Sequence, residues 1–173
     1  MENNIPFAGQ RETGGKPVRI DIRRGHFCHW LGRDVNPKEY DYVQGRLTGI
    51  TLRKRETPNG ETTFMDLRFL CGDTRFEVSA LASSSISAEL VSKLANIQDP
   101  ASIIRIDVWP KGNYTNCIVR ENGQKLPFRI LPKVVRRQNG FKADLDSSER
   151  DAAVMQMIVE LNGRLGTSGG SRA

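Results

Sequence analysis

Two aromatic side chains and a cation lie close together in the stretch from Ile103 to Asn122, IIRIDVWPKGNYTNCIVREN. The stretch is predicted to form two strands joined by a short loop, Pro110-Lys111-Gly112-Asn113, with Trp109 and Tyr114 beside it. Aromatic rings can stack on unpaired nucleobases, and ammonium groups attract phosphates. The residue types therefore favour contacts with a single-stranded nucleic acid at one rim of a β domain.

A second set of candidates lies earlier in the chain. The run Arg53-Lys54-Arg55 leads into Thr57-Pro58-Asn59-Gly60, and Asn-Gly is typical of a tight hairpin turn. This pattern predicts a basic loop between the first two strands of the domain. On the next strand, Phe64 and Arg68 share the outer face, where an aromatic ring beside a guanidinium could bind a base and its phosphate. The alternative is that the N-terminal segment or another subunit covers Phe64.

Strand alternation places Arg105, Asp107 and Trp109 on one face, so Asp107 is expected to repel a phosphate backbone there. The phosphate path and the stacking residues together make up the predicted nucleic-acid site: Arg53, Lys54, Arg55, Phe64, Arg68, Arg105, Trp109, Lys111 and Tyr114. The predicted mechanism is sequence-tolerant, with bases stacked on rings and phosphates neutralised by cations.

The segment from His26 to Trp30, HFCHW, contains the two histidines of the chain. A structural zinc site needs four ligands, usually as two spaced pairs, and the sequence has no second pair of this kind. We therefore expect no metal. The competing readings are that Phe27 and Trp30 close one end of the core, or that the rings and imidazoles stack on bases.

Catalytic motifs are missing from the sequence: it has no GxSxG, P-loop, GxGxxG or HExxH pattern. Cys28 and His29 are neighbours, and neighbouring side chains on a strand point to opposite faces, which is poor geometry for a dyad. We expect a protein that is not an enzyme and that uses no cofactor.

The bulk properties fit a basic, intracellular chain. It has 173 residues, a net charge of +6 and three cysteines, an odd number that argues against a disulfide framework. It has no apolar run of spanning length, and its first residues lack the pattern of a signal peptide. We expect a cytoplasmic location without membrane contact.

Periodicity predicts the elements that position these residues. Residues 1–39 are predicted to form an N-terminal extension, within which Val18, Ile20 and Ile22 alternate as in a short edge strand or an added strand. From Tyr40 the sequence predicts three strands, with a β-bulge where the alternation shifts at Gly49. An amphipathic helix follows, with apolar residues from Ile86 to Ile97 and a stop at Asp99-Pro100, and two further strands run to Asn122.

Residues 132–173 are predicted to form a basic linker, an amphipathic helix and a flexible tail. The linker run Lys133 to Arg137 extends the positive track or is simply solvated. The start of the helix is indicated by Asp146 with Glu149 three residues later, a pattern that resembles a capping box. Its apolar stripe, Val154 to Leu161, must be buried either on the chain's own barrel or in a homo-oligomer.

The order of three strands, one helix and two strands, with a glycine bulge, a basic first loop and an aromatic last loop, resembles the OB-fold, a five-stranded Greek-key barrel. The resemblance covers about residues 40–131. Within that fold the chain is most similar to single-stranded DNA-binding proteins of bacteria, phages and mobile elements. Bacterial members usually end in a tail with an acidic tip, and this chain departs from them by ending GTSGGSRA.

The resemblance implies binding of single-stranded DNA in replication, recombination or repair. Two alternatives remain open. An OB barrel alone does not discriminate between ribose and deoxyribose, so an RNA-binding protein is one of them. The other is a protein-interaction, virion or structural module in which the same aromatic residues form a hydrophobic contact.

Overall fold

The computed structural model describes residues 17–129 and 147–168. They form nine strands and two helices, in this order: β1 (Val18–Arg23), β2 (His26–His29), β3 (Lys38–Tyr40), β4 (Tyr42–Thr57), β5 (Gly60–Cys71), β6 (Thr74–Leu81), α1 (Ser85–Leu94), β7 (Ile104–Lys111), β8 (Tyr114–Glu121), β9 (Gln124–Lys125) and α2 (Ser147–Ser168). The predicted succession of three strands, one helix and two strands is present as β4 to β8. The protein is mainly β, as the sequence predicts.

The nine strands form one sheet in the order β3-β2-β1-β6-β5-β4-β7-β8-β9. All neighbours are antiparallel except β1 and β6, which are parallel. The structure does not confirm a closed five-stranded barrel. Strand β1 pairs with the edge of β6 that β5 leaves open, so the sheet continues into the N-terminal segment. Among the described residues, β3 and β9 form the two edges of the sheet. Nor is β1 an edge strand, since it lies between β2 and β6.

The long strand β4 serves two partners. Residues Tyr42 to Gly45 pair with β7, and residues Arg46 to Thr57 pair with β5. The register shifts between Leu47 and Gly49, which confirms the predicted bulge. An extra residue at this point lets one strand bend from the first partner to the second.

The apolar residues that alternate along the strands meet in one core. Most inner-face residues of the central strands are buried, and residues of β1, β2, both helices and Leu126 join them, while Leu52 near the far end of β4 is 40% exposed. The largest fully buried side chains are Phe27, Phe69, Phe76, Ile20, Leu47, Ile50, Met65, Leu67, Leu90, Leu94 and Ile97. Phe27 therefore supports the prediction that the His26 to Trp30 segment closes the core, while Trp30 stays 43% exposed.

Helix α1 begins at Ser85, at the end of the run Ser83-Ser84-Ser85. The Oγ of Ser84 accepts a hydrogen bond from the backbone N–H of Ser87, so Ser84 is the N-cap of the helix. Beyond the helix, the buried carboxylate of Glu121 accepts hydrogen bonds from the backbone N–H groups of Gln98 and Asp99 and from the Ser102 hydroxyl. One strand residue thereby organises the connection from α1 to β7.

Helix α2 buries its apolar stripe inside the chain. Met157, Ile158, Leu161 and Leu165 are all buried, and α2 packs on β4 and α1. The guanidinium of Arg164 also donates to the carbonyls of Ala95 and Ile97, at the C-terminal end of α1. The stripe that suggested self-association is therefore covered by the chain's own core.

Strands β1 and β2 form an N-terminal hairpin, whose turn contacts β7 and β8. Arg24 and Gly25 form its two-residue turn, both with positive φ. The backbone N–H of Gly25 donates to Oγ1 of Thr115 at 3.1 Å. A Cβ at position 25 would lie 2.2 Å from the Pro110 nitrogen, so only glycine permits this approach.

Several predictions concern residues outside the described ranges, namely those for residues 1–16, the basic run Lys133 to Arg137, the Asp146 cap and the C-terminal tail. Within residues 17–129 and 147–168, neither helix has the length and apolar character needed to cross a membrane.

Candidate nucleic-acid interface

The β7–β8 hairpin brings the predicted aromatic and basic residues to one face. Lys111 pairs with Tyr114, and Trp109 pairs with Asn116. Directly opposed residues on an antiparallel pair share a face, as do residues two apart on one strand. Trp109, Lys111, Tyr114 and Asn116 therefore form one surface, called here the hairpin cluster. Trp109 is 38% exposed and Tyr114 is 67% exposed, so both rings are accessible.

The turn of this hairpin is shorter than predicted. Pro110 and Lys111 belong to β7, and only Gly112 and Asn113 connect the strands. Gly112 has φ +60°, a value that favours glycine at the first position of a two-residue turn. Because Lys111 sits on a strand, its position opposite Tyr114 is set by the ladder.

Next to the hairpin cluster, Asp107 is held between two arginines. Arg105 binds it with Nη2 to Oδ1 at 2.9 Å, and Arg120 binds it with Nη1 to Oδ2 at 2.9 Å. The guanidinium of Arg105 also lies 3.9 Å from the ring centroid of Tyr42. The predicted repulsion by Asp107 is therefore offset locally, because two positive charges surround one negative charge.

The predicted basic loop is part of a strand. Arg53, Lys54 and Arg55 all lie within β4, which continues to Thr57. Alternation therefore separates them: Arg53 and Arg55 share the outer face, and Lys54 lies on the opposite face with its Nζ 2.8 Å from Glu61 Oε1. The structure brings Arg53 and Arg55 to the predicted site and places Lys54 elsewhere.

Phe64 lies on the outer face of β5, directly opposite Arg53, whose guanidinium is 5.6 Å from the ring centroid. The same guanidinium binds Asp66, with Nε to Oδ2 at 2.8 Å. Asp66 is only 3% exposed and also accepts a hydrogen bond from Ser79. Burial tends to raise the pKa of Asp66, but the hydrogen bonds from Arg53 and Ser79 outweigh it and hold the pKa below its usual value.

Arg68, two positions after Asp66 on the same face of β5, takes part in a similar ion-pair arrangement. Its Nε lies 3.4 Å from Glu77 Oε1, and the other oxygen of Glu77 lies 3.7 Å from Arg19. Arg19 belongs to β1, so the N-terminal strand supplies a cation to this face that the sequence reasoning missed. The signal was present, because Arg19 lies between the two core residues Val18 and Ile20 and must face outward.

Apart from Lys54 and its partner Glu61, these groups lie on the outer face of the sheet, but they fall at two ends of β4. Tyr42 pairs with Asp107, so the hairpin cluster lies near the start of β4, whereas Arg53 lies eleven residues further along. A straight strand of that length spans at most about 36 Å at ~3.3 Å per residue, and the bulge shortens it. Only an extended ligand can contact both the hairpin cluster and Arg53.

Among the predicted cations, Arg55 and Lys111 form no ion pair with the described residues, while Arg53, Lys54, Arg68 and Arg105 each face a carboxylate. The carboxylates organise the arginines and also reduce their net positive charge. Arg55 and Lys111 are accordingly the cations with the least local competition.

The two histidines do not converge. They are three positions apart on β2, so His26 and His29 lie on opposite faces, with His29 buried and His26 near Asp41 at 3.6 Å. Within the described ranges no group of three histidine, cysteine or acidic side chains is placed to hold a metal ion.

Comparisons of the chain with protein-family models, with curated proteins and with solved structures give no match.

Proposed function

We propose that this protein binds single-stranded DNA without strong sequence preference, and that it acts where unpaired strands occur, in replication, recombination or repair. In this proposal β4 to β8 with α1 are an OB-like unit, extended by the N-terminal hairpin. The strand lies on the outer face of the sheet and contacts the hairpin cluster at one end and the Arg53–Phe64 pair at the other.

The hairpin cluster is the observation that carries the proposal. Trp109 and Tyr114 are large aromatic side chains that remain exposed although one core is available to both strands. Lys111, opposite Tyr114, adds a cation that no described carboxylate neutralises. Two accessible rings beside a free ammonium suit a stacked base and its phosphate, and each stacked base typically contributes ~1–3 kcal/mol.

The charges along the outer face favour an anionic strand only moderately. Around Asp107 the sum is +1, from Arg105, Arg120 and one carboxylate. Around Asp66 and Glu77 it is also +1, from Arg19, Arg53 and Arg68 against two carboxylates. Stacking on the aromatic rings must therefore contribute a large share of the affinity, and we expect a shallower salt dependence than for an all-phosphate interface.

The experiment is a titration with oligo-dT, oligo-U and a DNA duplex at two salt concentrations, followed by tryptophan fluorescence. The chain has two tryptophans, Trp30 and Trp109. A Trp30→Phe variant keeps an aromatic ring beside Arg23 and leaves Trp109 as the single reporter. We expect oligo-dT to quench Trp109, with weaker binding at higher salt. The absence of any response to the single strands at low salt would refute the proposal.

The two alternatives give different results in the same titration, because a protein-interaction module should bind none of the three nucleic acids. Tighter binding of oligo-U than of oligo-dT would indicate an RNA-binding protein. The double variant Trp109→Ala, Tyr114→Ala should weaken strand binding about tenfold or more, since it removes two stacking surfaces. Met155→Ala with Val159→Ala is the matched control, because it removes exposed apolar side chains from α2.

A further inference from the structure

A cleft of about 770 Å³ adjoins the hairpin cluster on the outer edge of β8. Trp109, Asn116 and Ile118 line it from the β7–β8 ladder, Lys93 lines it from α1, and Lys125 and Phe128 line it from the segment that follows β8. The volume falls in the range of about 300–1,000 Å³ that is usual for sites of small organic ligands. None of Asn116, Lys125 and Phe128 was singled out by sequence reasoning.

The two aromatic residues of the cleft are exposed. Phe128 is 58% exposed and Trp109 is 38% exposed, although both are large apolar side chains. The ammonium of Lys93 lies 4.6 Å from the centroid of the Phe128 ring. The same ammonium donates to the carbonyl of Cys117 at 2.6 Å and to Glu89 Oε1 at 2.6 Å, so it is fixed in place. Phe128 is therefore anchored at its position without being buried.

The polar groups of the cleft match a nucleotide. The side-chain amide of Asn116 can both donate to and accept from the edge of a base. Lys125 is exposed and pairs with Arg120 across β8 and β9, which places two cations next to each other at this edge. Glu89 is the carboxylate of the cleft, and it is engaged by Lys93. The rim is thus positive while the interior is aromatic and apolar.

We infer that this cleft holds one nucleotide of the bound single strand, its base against Trp109 and Phe128, its edge on Asn116 and its phosphate near Lys125. The inference rests on the proposed function and deepens it. Trp109 belongs both to the hairpin cluster and to the cleft, so a strand stacked on the hairpin cluster continues into the cleft. The path then turns over the β8 edge towards α1.

The test compares wild-type protein with Phe128→Ala, Phe128→Tyr and Asn116→Ala in the oligo-dT and oligo-dA titrations. Loss of one stacking surface should weaken binding roughly tenfold for Phe128→Ala, whereas Phe128→Tyr retains a ring and should bind like the wild type. Asn116→Ala should reduce any difference between oligo-dA and oligo-dT, because it removes the one contact to a base edge. Met155→Ala with Val159→Ala serves again as the control.

A second measurement does not depend on how the variants fold. An oligo-dT strand carrying photoreactive thymines is crosslinked to the wild-type protein, and the tryptic peptides are identified. Crosslinks to the peptide of residues 126–129, which contains Phe128, are expected in addition to those in residues 106–120.

The outcomes separate the two proposals. If the wild type binds oligo-dT while Phe128→Ala binds equally well and crosslinks stay within 106–120, the cleft is not part of the path, and the proposed function stands. If the wild type binds no single strand, the proposed function fails and the cleft inference fails with it.

Discussion

The side-chain amide of Asn162 binds both backbone polar groups of Ile50. Its Oδ1 accepts from the Ile50 N–H at 2.8 Å, and its Nδ2 donates to the Ile50 carbonyl at 2.8 Å. Ile50 follows the bulge in β4, past the point where β7 stops pairing with that strand. The amide therefore takes the place of a neighbouring strand and attaches α2 to the edge of β4.

Replacing Asn162 by alanine should lower the free energy of unfolding by about 1–3 kcal/mol, because the partly buried N–H and C=O of Ile50 lose their partners. Asn162→Asp should also destabilise, since a carboxylate can accept from the N–H but cannot donate to the carbonyl. Gln156→Ala, an exposed amide on the same helix, is the control. Urea denaturation measures the difference, and equal stability of Asn162→Ala and Gln156→Ala would contradict this account.

The approach of Gly25 to Pro110 gives a second prediction. Gly25→Ala should destabilise by about 2–4 kcal/mol, because its φ is +80° and the new Cβ would meet backbone atoms of Pro110. Gly123→Ala is a matched control, since Gly123 has φ +83° but open space around it. Its expected cost is about 1 kcal/mol.

The difference between these two variants measures the steric contact between the N-terminal hairpin and the β7–β8 hairpin. Thermal unfolding of both variants beside the wild type is sufficient. Equal melting temperatures for Gly25→Ala and Gly123→Ala would show that the hairpins do not touch.

The ion pair of Asp66 predicts a dependence of stability on pH. The folded-state pKa of Asp66 is lowered, since the hydrogen bonds from Arg53 and Ser79 outweigh the effect of burial. A lowered pKa contributes stability that is complete above the unfolded value of about 3.9 and is lost as the pH falls through the folded value. The wild type should therefore become less stable below about pH 4.

Asp66→Asn should cost about 2 kcal/mol at pH 7, because it removes a charged hydrogen-bonding partner of Arg53, and the loss of stability on acidification should be smaller. Ser79→Ala removes the hydroxyl hydrogen bond to Asp66 and leaves those from Arg53, so its stability should fall between those of the wild type and Asp66→Asn. Denaturation midpoints from pH 7 to pH 3 provide the measurement. An acid dependence that is unchanged in Asp66→Asn would assign the effect to other carboxyl groups.

Alternation and helical spacing were sufficient to predict most strands and both helices, because a half-buried strand or helix must repeat its apolar residues at that spacing. The bulge at Gly49 was visible for the same reason. The pairing of β1 with β6 was not predictable. It is a contact between residues more than fifty positions apart, and alternation tells which face is buried without telling which strand lies alongside.

The candidate site shows the same limit. Strand parity correctly placed Trp109 with Arg105, and Phe64 with Arg68. It did not show that Arg53-Lys54-Arg55 continues a strand, which separates Lys54 from its neighbours, or that Asp66 and Glu77 would hold Arg53, Arg68 and Arg19. Ion pairs between strands depend on register, and register became visible only in the folded sheet.

Glu77 forms ion pairs with Arg19 and Arg68, and in the proposed complex it would compete with phosphate for both, which gives the last prediction. Its carboxylate lies within 3.7 Å of one guanidinium and 3.4 Å of the other. Glu77→Gln leaves a side chain of the same shape without the charge, so the local sum rises from +1 to +2. If the bound DNA strand passes over β5 and β6, the affinity of Glu77→Gln for oligo-dT at low salt should increase severalfold. The slope of log K against log salt should become steeper by up to ~0.7, the value for one added phosphate contact.

Glu39→Gln, on the exposed edge strand β3, makes the same change in net charge away from this face and is the control. An equal increase in both variants would mean that net charge matters and the position of Glu77 does not, which would remove β5 and β6 from the proposed path.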